Sequence, residues 1–130
     1  MTHRVLIGDS SKYFDRTMWQ SLLPYPEFSI IGIATDSQDI TKLTIAQRPD
    51  TILIDLSASE MGGLWTIESL RAIQPEATII TLLTGASSQY SQAAKCAGAT
   101  TCLVKSDIAE TLPETLRSLQ FNPNLSEFTY

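Results

Sequence analysis

The chain has 130 residues and a formal net charge of -5, with 9 Lys and Arg against 14 Asp and Glu. This length is typical of one domain, and a composition of 43% hydrophobic and 18% charged residues excludes an intrinsically disordered chain. The basic residues are scattered, so we expect no direct nucleic-acid binding. No apolar run reaches the roughly 18–20 residues that a membrane span needs, and no signal peptide is recognisable. We therefore expect a cytoplasmic protein without a membrane partner.

The two cysteines, Cys96 and Cys102, lie in apolar stretches without a neighbouring cluster of His or Cys. This arrangement does not predict a zinc site. We expect both to be small buried side chains in a reducing compartment.

Five short apolar runs recur along the chain, and they are rich in β-branched residues. Such runs are typical of strands that are buried on both faces of a parallel sheet. They cover residues 5–8, 28–33, 51–54, 78–83 and 101–104.

The segments between and after these runs have apolar residues at helical spacing, which predicts five amphipathic helices. Asp36 is a candidate N-cap of the second helix, and Gly98 is a candidate left-handed cap at the end of the fourth. Pro113 should kink the fifth helix, because it removes a backbone hydrogen bond. Strands alternating with helices predict an α/β fold with helices on both faces of a parallel sheet. We expect one domain over residues 1–121 and a short C-terminal tail over 122–130.

Polar residues follow four of the five predicted strands. Asp9 follows the first, Asp55 the third, Thr84 the fourth and Lys105 the fifth. Each has an ordinary explanation alone, since an acid can cap a helix and a lysine can be solvated. In doubly wound sheets, however, ligands bind beyond the carboxyl ends of the strands. The four residues together therefore predict one polar crevice.

The order of elements and these residues resemble the receiver domains of bacterial response regulators, from residue 4 to about 120. The most specific stretch is 49–56 (PDTILIDL), followed by 61–64 (MGGL), which is similar to the family's P-D-hydrophobic-D-L segment and M-x-G-L motif. Gly98-Ala99 and 103–105 (LVK) are similar to the run before the family's lysine. The spacing most resembles the branch usually fused to a LuxR-type helix-turn-helix. The resemblance implies a flavodoxin-like, doubly wound sheet of five strands with five helices.

The resemblance also implies a role for each site residue. Asp55 would accept a phosphoryl group from a histidine kinase or phosphotransfer protein in a two-component phosphorelay. Asp9, Asp55 and the backbone carbonyl of Ser57 would hold Mg²⁺. Thr84 would donate a hydrogen bond to the phosphoryl group, and Lys105 would pair with it. The protein would then be a signalling component rather than an enzyme, apart from self-catalysed phosphoryl transfer and dephosphorylation. Its other partners would be a downstream protein and a second copy in a homodimer.

Three positions depart from the family pattern. Receivers have two adjacent acids after the first strand, whereas this chain has Asp9 followed by Ser10, which could contribute only through a water molecule. An alignment shifted by one would make Gly8 the missing acid, although the apolar spacing of the first strand favours the unshifted version. Cys102 occupies the position of an aromatic or histidine switch residue. Ala58-Ser59 replaces the usual Met-Pro after the phosphoacceptor.

These departures leave an alternative function open, in which the receiver fold is degenerate and binds a protein independently of phosphorylation. Trp65 lies one residue after the core-facing Leu64 and should point partly outward, where it could anchor a partner or pack on a loop. A flavin-binding role is disfavoured, because the loop after the first strand (residues 9–13, DSSKY) has an acid and no glycine to hold a phosphate.

Overall fold

The computed structural model describes residues 3–9, 14–55, 63–84 and 88–121. Strands and helices alternate along the chain. The strands are β1 (His3–Gly8), β2 (Phe28–Ala34), β3 (Thr51–Asp55), β4 (Thr78–Leu83) and β5 (Thr101–Val104). The helices are α1 (Phe14–Leu22), α2 (Ser37–Gln47), α3 (Gly63–Ile73), α4 (Ser88–Ala97) and α5 (Ile108–Phe121), and a 3₁₀ turn (Lys105–Asp107) precedes the last.

The five strands form one parallel sheet in the order β2-β1-β3-β4-β5. This is the flavodoxin-like, doubly wound arrangement, so the predicted fold class is confirmed. All five predicted strands are present, and their bounds differ from the apolar runs by two residues or fewer.

The core has two layers, one on each face of the sheet, because successive side chains of a strand point to opposite faces. Leu6, Ile52 and Ile54 belong to the layer beneath α2, α3 and α4. Val5, Ile7 and Leu53 belong to the layer beneath α1 and α5. All of these side chains are fully buried, which explains why the strands have nearly continuous apolar sequences.

Two helix boundaries follow the predicted chemistry. Asp36 caps α2 by accepting a hydrogen bond from the backbone N–H of Asp39 at 2.7 Å. Gly98 follows α4 with a φ of +124°, and a Cβ at this position would lie 2.9 Å from the Cβ of Arg71. Glycine is therefore required there both by backbone conformation and by space. Arg48, which ends α2 in the left-handed conformation with φ of 49°, was not predicted.

The structure bears on the expectations for Pro113 and for the two cysteines. α5 continues through Pro113 as one helix, and the kink expected at this residue stays a prediction. The expectation that both cysteines are buried is wrong for Cys96, which is exposed. Cys96 lies two residues after the buried Ala94, and two residues along a helix is about 200°, which places it on the solvent face of α4. Cys102 is half-buried.

Among the described helices, none has the length and apolar character needed to span a membrane.

Candidate functional site

The register of the sheet places the four predicted site residues at its carboxyl edge. Gly8 of β1 pairs with Ile54 of β3, so Asp9 and Asp55 are the next residues on two neighbouring strands. Leu83 of β4 pairs with Val104 of β5, and Thr84 and Lys105 follow them in the same way. Neighbouring strands lie about 4.8 Å apart. The predicted convergence of these residues at one edge is therefore present in the fold.

Both carboxylates at this edge are removed from solvent. Asp9 and Asp55 have no exposed surface, and the backbone N–H of Asp9 donates to the carbonyl of Ala34 at 2.9 Å. Burying a carboxylate costs free energy unless charge or hydrogen bonds compensate for the lost hydration. Two such groups on adjacent strands also repel each other. The site therefore needs positive charge.

Lys105 supplies that charge. Its Nζ lies 2.6 Å from Oδ2 of Asp55, and its side chain is 14% exposed. The ammonium therefore lies within hydrogen-bonding reach of Asp55 in the unmodified protein. The ion pair is partly accessible, because Lys105 begins the 3₁₀ turn that leaves β5.

Of the remaining predicted site residues, only Thr84 lies in the described part of the chain. Thr84 is exposed, just beyond the end of β4. Ser10 and Ser57 lie outside the described residues, so their proposed contributions to a metal site stay predictions.

The donor set fits Mg²⁺ better than a transition metal. Carboxylate oxygens are hard ligands, and Mg²⁺ is usually held by one or two carboxylates together with water and phosphate oxygens. In the described part of the chain, no group of three or more His, Cys, Asp or Glu side chains could hold a metal ion. Asp9 and Asp55 are two carboxylates, which is the number that a magnesium site of this kind uses.

A second polar contact lies beside the site, between β4 and β5. The hydroxyl of Thr81, which is fully buried, donates to Sγ of Cys102 at 2.9 Å. Cys102 and Tyr90 of α4 both pack against the core on this face. Burial raises the pKa of Tyr90, and the nearby Cys102 raises it further. Sequence reasoning singled out Cys102 but missed Thr81, although a threonine inside an apolar strand needs a hydrogen-bond partner.

Trp65 lies near the amino end of α3 and is 65% exposed. The prediction that it points outward is confirmed. Its use as a partner anchor stays a prediction.

The fold and this edge define a class of protein, the flavodoxin-like signalling receivers. A model of the response regulator receiver domain matches residues 5–117, and the chain belongs to this family. It is a receiver domain of a two-component response regulator.

Solved structures of several receivers have the same fold. A LuxR-family two-component response regulator from Aurantimonas has a TM-score of 0.83 at 20% identity, covering 92% of this chain and 85% of that chain. The response regulator domain of Thermotoga maritima CheB has a TM-score of 0.80 at 19% identity, covering 91% of this chain and 96% of that chain.

Curated relatives are longer proteins. A protein-glutamate methylesterase/protein-glutamine glutaminase from Shewanella denitrificans is 29% identical over 123 residues, which are 92% of this chain and 32% of that protein. A protein of the same description from Geobacter sulfurreducens is 31% identical over 77 residues, which are 59% of this chain and 21% of that protein. The chain thus spans about a fifth to a third of the relatives' length.

Proposed function

We propose that this receiver is a phosphoacceptor in a phosphorelay, and that Asp55 takes the phosphoryl group from a histidine kinase or a phosphotransfer protein. The observation that carries the proposal is the ion pair between Lys105 and the buried Asp55 at the carboxyl edge, with an Nζ–Oδ2 distance of 2.6 Å. A buried carboxylate beside an accessible ammonium is a nucleophile with a charge partner already in place for a phosphate.

The transfer follows from these positions. A carboxylate oxygen of Asp55 attacks the phosphorus in line, the bond from phosphorus to the donor's leaving atom breaks, and an aspartyl phosphate forms. Lys105 then neutralises part of the charge on the phosphoryl oxygens, and the hydroxyl of Thr84 donates a hydrogen bond to one of them. Asp9, Asp55 and the carbonyl of Ser57 would hold Mg²⁺, which supplies further positive charge to the same oxygens when bound.

The test of this function compares the two aspartates that flank β3. Incubation with a small phosphodonor and Mg²⁺ should add one phosphoryl group, measured by intact-protein mass spectrometry. Asp55→Asn should abolish the mass shift, because an amide is not a nucleophile toward phosphorus. Asp50→Asn is the matched control, since Asp50 precedes the same strand at its other end and accepts from the backbone N–H of Arg4 at 2.8 Å. Asp50→Asn should label like the wild type.

Labelling that persists in Asp55→Asn would contradict the assignment of Asp55. A wild-type protein that takes no phosphoryl group, from the small donor or from a kinase, would favour the second candidate function.

The second candidate is a degenerate receiver that binds a protein partner without phosphorylation. Two observations favour it. Asp9 is followed by Ser10, where the family has a second acid. Trp65 presents a large exposed aromatic surface, which is the kind of side chain that anchors protein interfaces.

Restoring the missing acid separates the two candidates. Ser10→Asp adds a negative charge beside Asp9, so it should tighten Mg²⁺ binding by about tenfold. Without metal, the same charge adds repulsion and should lower the free energy of unfolding. The stabilities of the two proteins should therefore cross as Mg²⁺ is added, and the phosphodonor should label Ser10→Asp faster. If Ser10→Asp gains neither Mg²⁺ affinity nor labelling rate, the pocket has lost its geometry, and the binding module becomes the better function.

The wider setting belongs to the same proposal. We infer a receiver unit over residues 1–121 that acts in the cytoplasm through a downstream protein and, in one state, as a homodimer. Receivers are in general signalling domains rather than enzymes. The printed activity of the longer relatives, protein-glutamate methylesterase and protein-glutamine glutaminase, belongs to proteins of which this chain covers the smaller part.

A further inference from the structure

The outward face of α5 carries opposite charges towards its two ends. Glu110, Glu114 and Arg117 are all exposed. Successive residues of a helix are about 100° apart, so these three side chains lie within about 60° of one another around the helix axis. Because both acids precede the arginine along the chain, the face is acidic towards the amino end of α5 and basic towards its carboxyl end.

This face borders an open cavity beside the segment that joins α1 to β2. The cavity has a volume of about 490 Å³ and is lined by Tyr25, Glu110, Pro113, Glu114, Arg117 and Ser118. Arg117 is held in position, because its Nε lies 3.3 Å from Oε2 of Glu27 and its Cζ lies 4.9 Å from the ring centre of Tyr25. A guanidinium has five N–H donors, so this contact through Nε leaves capacity for a second carboxylate.

Apolar surface continues from this cavity onto the end of α1. Tyr25 also lines a shallower groove, whose other walls include Trp19 and Leu23. Trp19 is 46% exposed and Leu23 is 65% exposed. In protein association, apolar surface supplies most of the free energy and charged groups set the orientation. The residues that combine both properties form what we call the α1–α5 face: Trp19, Leu23, Tyr25, Glu110, Glu114 and Arg117.

We propose that the α1–α5 face binds the same face of a second copy of the chain, with the two α5 helices antiparallel. A two-fold axis that crosses α5 between residues 113 and 114 places Glu110 of each copy opposite Arg117 of the other. A parallel arrangement of the helices would instead place like charges opposite each other. The charges of the face therefore select one orientation of the second copy.

Charge complementarity also favours a second copy over an unrelated partner. The chain has a net charge of -5, so two copies repel each other at long range. A contact between them must therefore bring acids against a base, and Arg117 is the basic side chain of the α1–α5 face. A partner with a uniformly charged surface would satisfy one end of this face and oppose the other.

The inference rests on the proposed function only in that it gives the homodimer a surface. It concerns the unmodified chain and does not require a phosphoryl group on Asp55. The two can therefore fail separately. A protein that is labelled at Asp55 but stays monomeric contradicts the dimer surface alone, whereas a protein that dimerises but takes no phosphoryl group contradicts the phosphoacceptor alone.

The test is a pair of charge reversals that are complementary to each other. Glu110→Arg places positive charges opposite each other across the two-fold axis, and Arg117→Glu places negative charges there. Each variant alone should dimerise at least about tenfold more weakly than the wild type. An equimolar mixture of the two variants should form a heterodimer about as strong as the wild-type dimer, because each positive side chain then faces a negative one. Sedimentation equilibrium at protein concentrations up to about 1 mM measures these affinities.

Glu68→Arg is the matched control, because Glu68 is an exposed acid on α3, which packs on the other face of the sheet. It should dimerise like the wild type and should not rescue Arg117→Glu on mixing. If urea denaturation shows that a charge reversal has unfolded the chain, Glu110→Gln replaces it, and this neutral variant should dimerise about threefold more weakly than the wild type.

Three results would overturn the proposal. The first is a wild-type protein that stays monomeric at about 1 mM, which would leave the face to a different protein. The second is a folded Glu110→Arg that dimerises as well as the wild type, since the contact would then lie elsewhere. The third is a mixture of the two folded reversal variants that forms no heterodimer.

Discussion

The two ends of the sheet use charged residues in different ways. At the carboxyl edge, Lys105 is paired with Asp55, another side chain. At the amino edge, Arg71 donates to the backbone carbonyls of Gly98, Pro75 and Ala77. A bond between two side chains can be exchanged for a bond to a ligand, whereas a bond that closes a loop onto the main chain cannot be released without loosening the fold. The first edge is therefore suited to chemistry and the second to stability.

The largest expected effect is on phosphoryl transfer at the carboxyl edge. Lys105→Met removes the charge that faces the phosphoryl oxygens, and it should slow labelling by the small phosphodonor about 100-fold or more. Lys42→Met is the control, because Lys42 is an exposed lysine on α2, and it should label at the wild-type rate. Time courses by mass spectrometry measure both. A Lys105→Met protein that labels normally would show that the ion pair between Lys105 and Asp55 stabilises the fold and takes no part in phosphoryl transfer.

The next effect is on stability at the amino edge. Arg71 also donates to Oγ1 of Thr100 at 3.3 Å, and Arg71→Met leaves several carbonyls without this partner. The free energy of unfolding, measured by urea denaturation, should fall by about 3 kcal/mol. Arg71→Lys should recover only part of the loss, because an ammonium lacks the planar fork of a guanidinium.

Arg117, an arginine on the surface, is the control for the loss of stability in Arg71→Met. Arg117 has a half-exposed ion pair with Glu27, so Arg117→Met should change the free energy of unfolding by at most about 1 kcal/mol. If Arg71→Met costs no more than Arg117→Met, water replaces the guanidinium, and the contrast between the two edges does not hold. Folded Arg71→Met should also keep the wild-type labelling rate.

The smallest effect is a pH dependence at the amino edge. His3 shares a hydrogen bond of 2.5 Å with Oγ1 of Thr51 and packs edge-on against Phe28. Burial lowers the pKa of His3 below its ordinary value of 6.5, and the nearby Asp50 opposes this in part. The unfolded chain therefore binds a proton more readily than the folded chain. The stability that neutral His3 contributes is present at pH 7.5 and is lost as the pH falls below 6.5.

The pH effect should be under about 1 kcal/mol between pH 7.5 and 5.5, because the imidazole is only part-buried. His3→Gln should remove the pH-dependent contribution of His3 to stability. The difference in urea midpoint between the wild-type protein and His3→Gln should therefore change with pH. An identical pH profile for His3→Gln would mean that His3 does not titrate differently on folding.

The sequence by itself determined the strands, the class of fold and the edge at which Asp9, Asp55, Thr84 and Lys105 meet. Strands buried on both faces need continuous apolar runs, and such runs are visible without any knowledge of tertiary contacts. The carboxyl ends of parallel strands share one edge, so the residues that follow them could also be placed together.

Only the tertiary structure decided which polar residues support the fold and which surfaces stay open. Arg71 is an ordinary helix residue in the sequence, and its bonds reach residues as far along the chain as Gly98 and Thr100. The contact of Thr81 with Cys102 likewise depends on the pairing of β4 with β5. Local sequence patterns record burial along one element, whereas these features arise where separate elements meet, so no pattern within a single segment could show them.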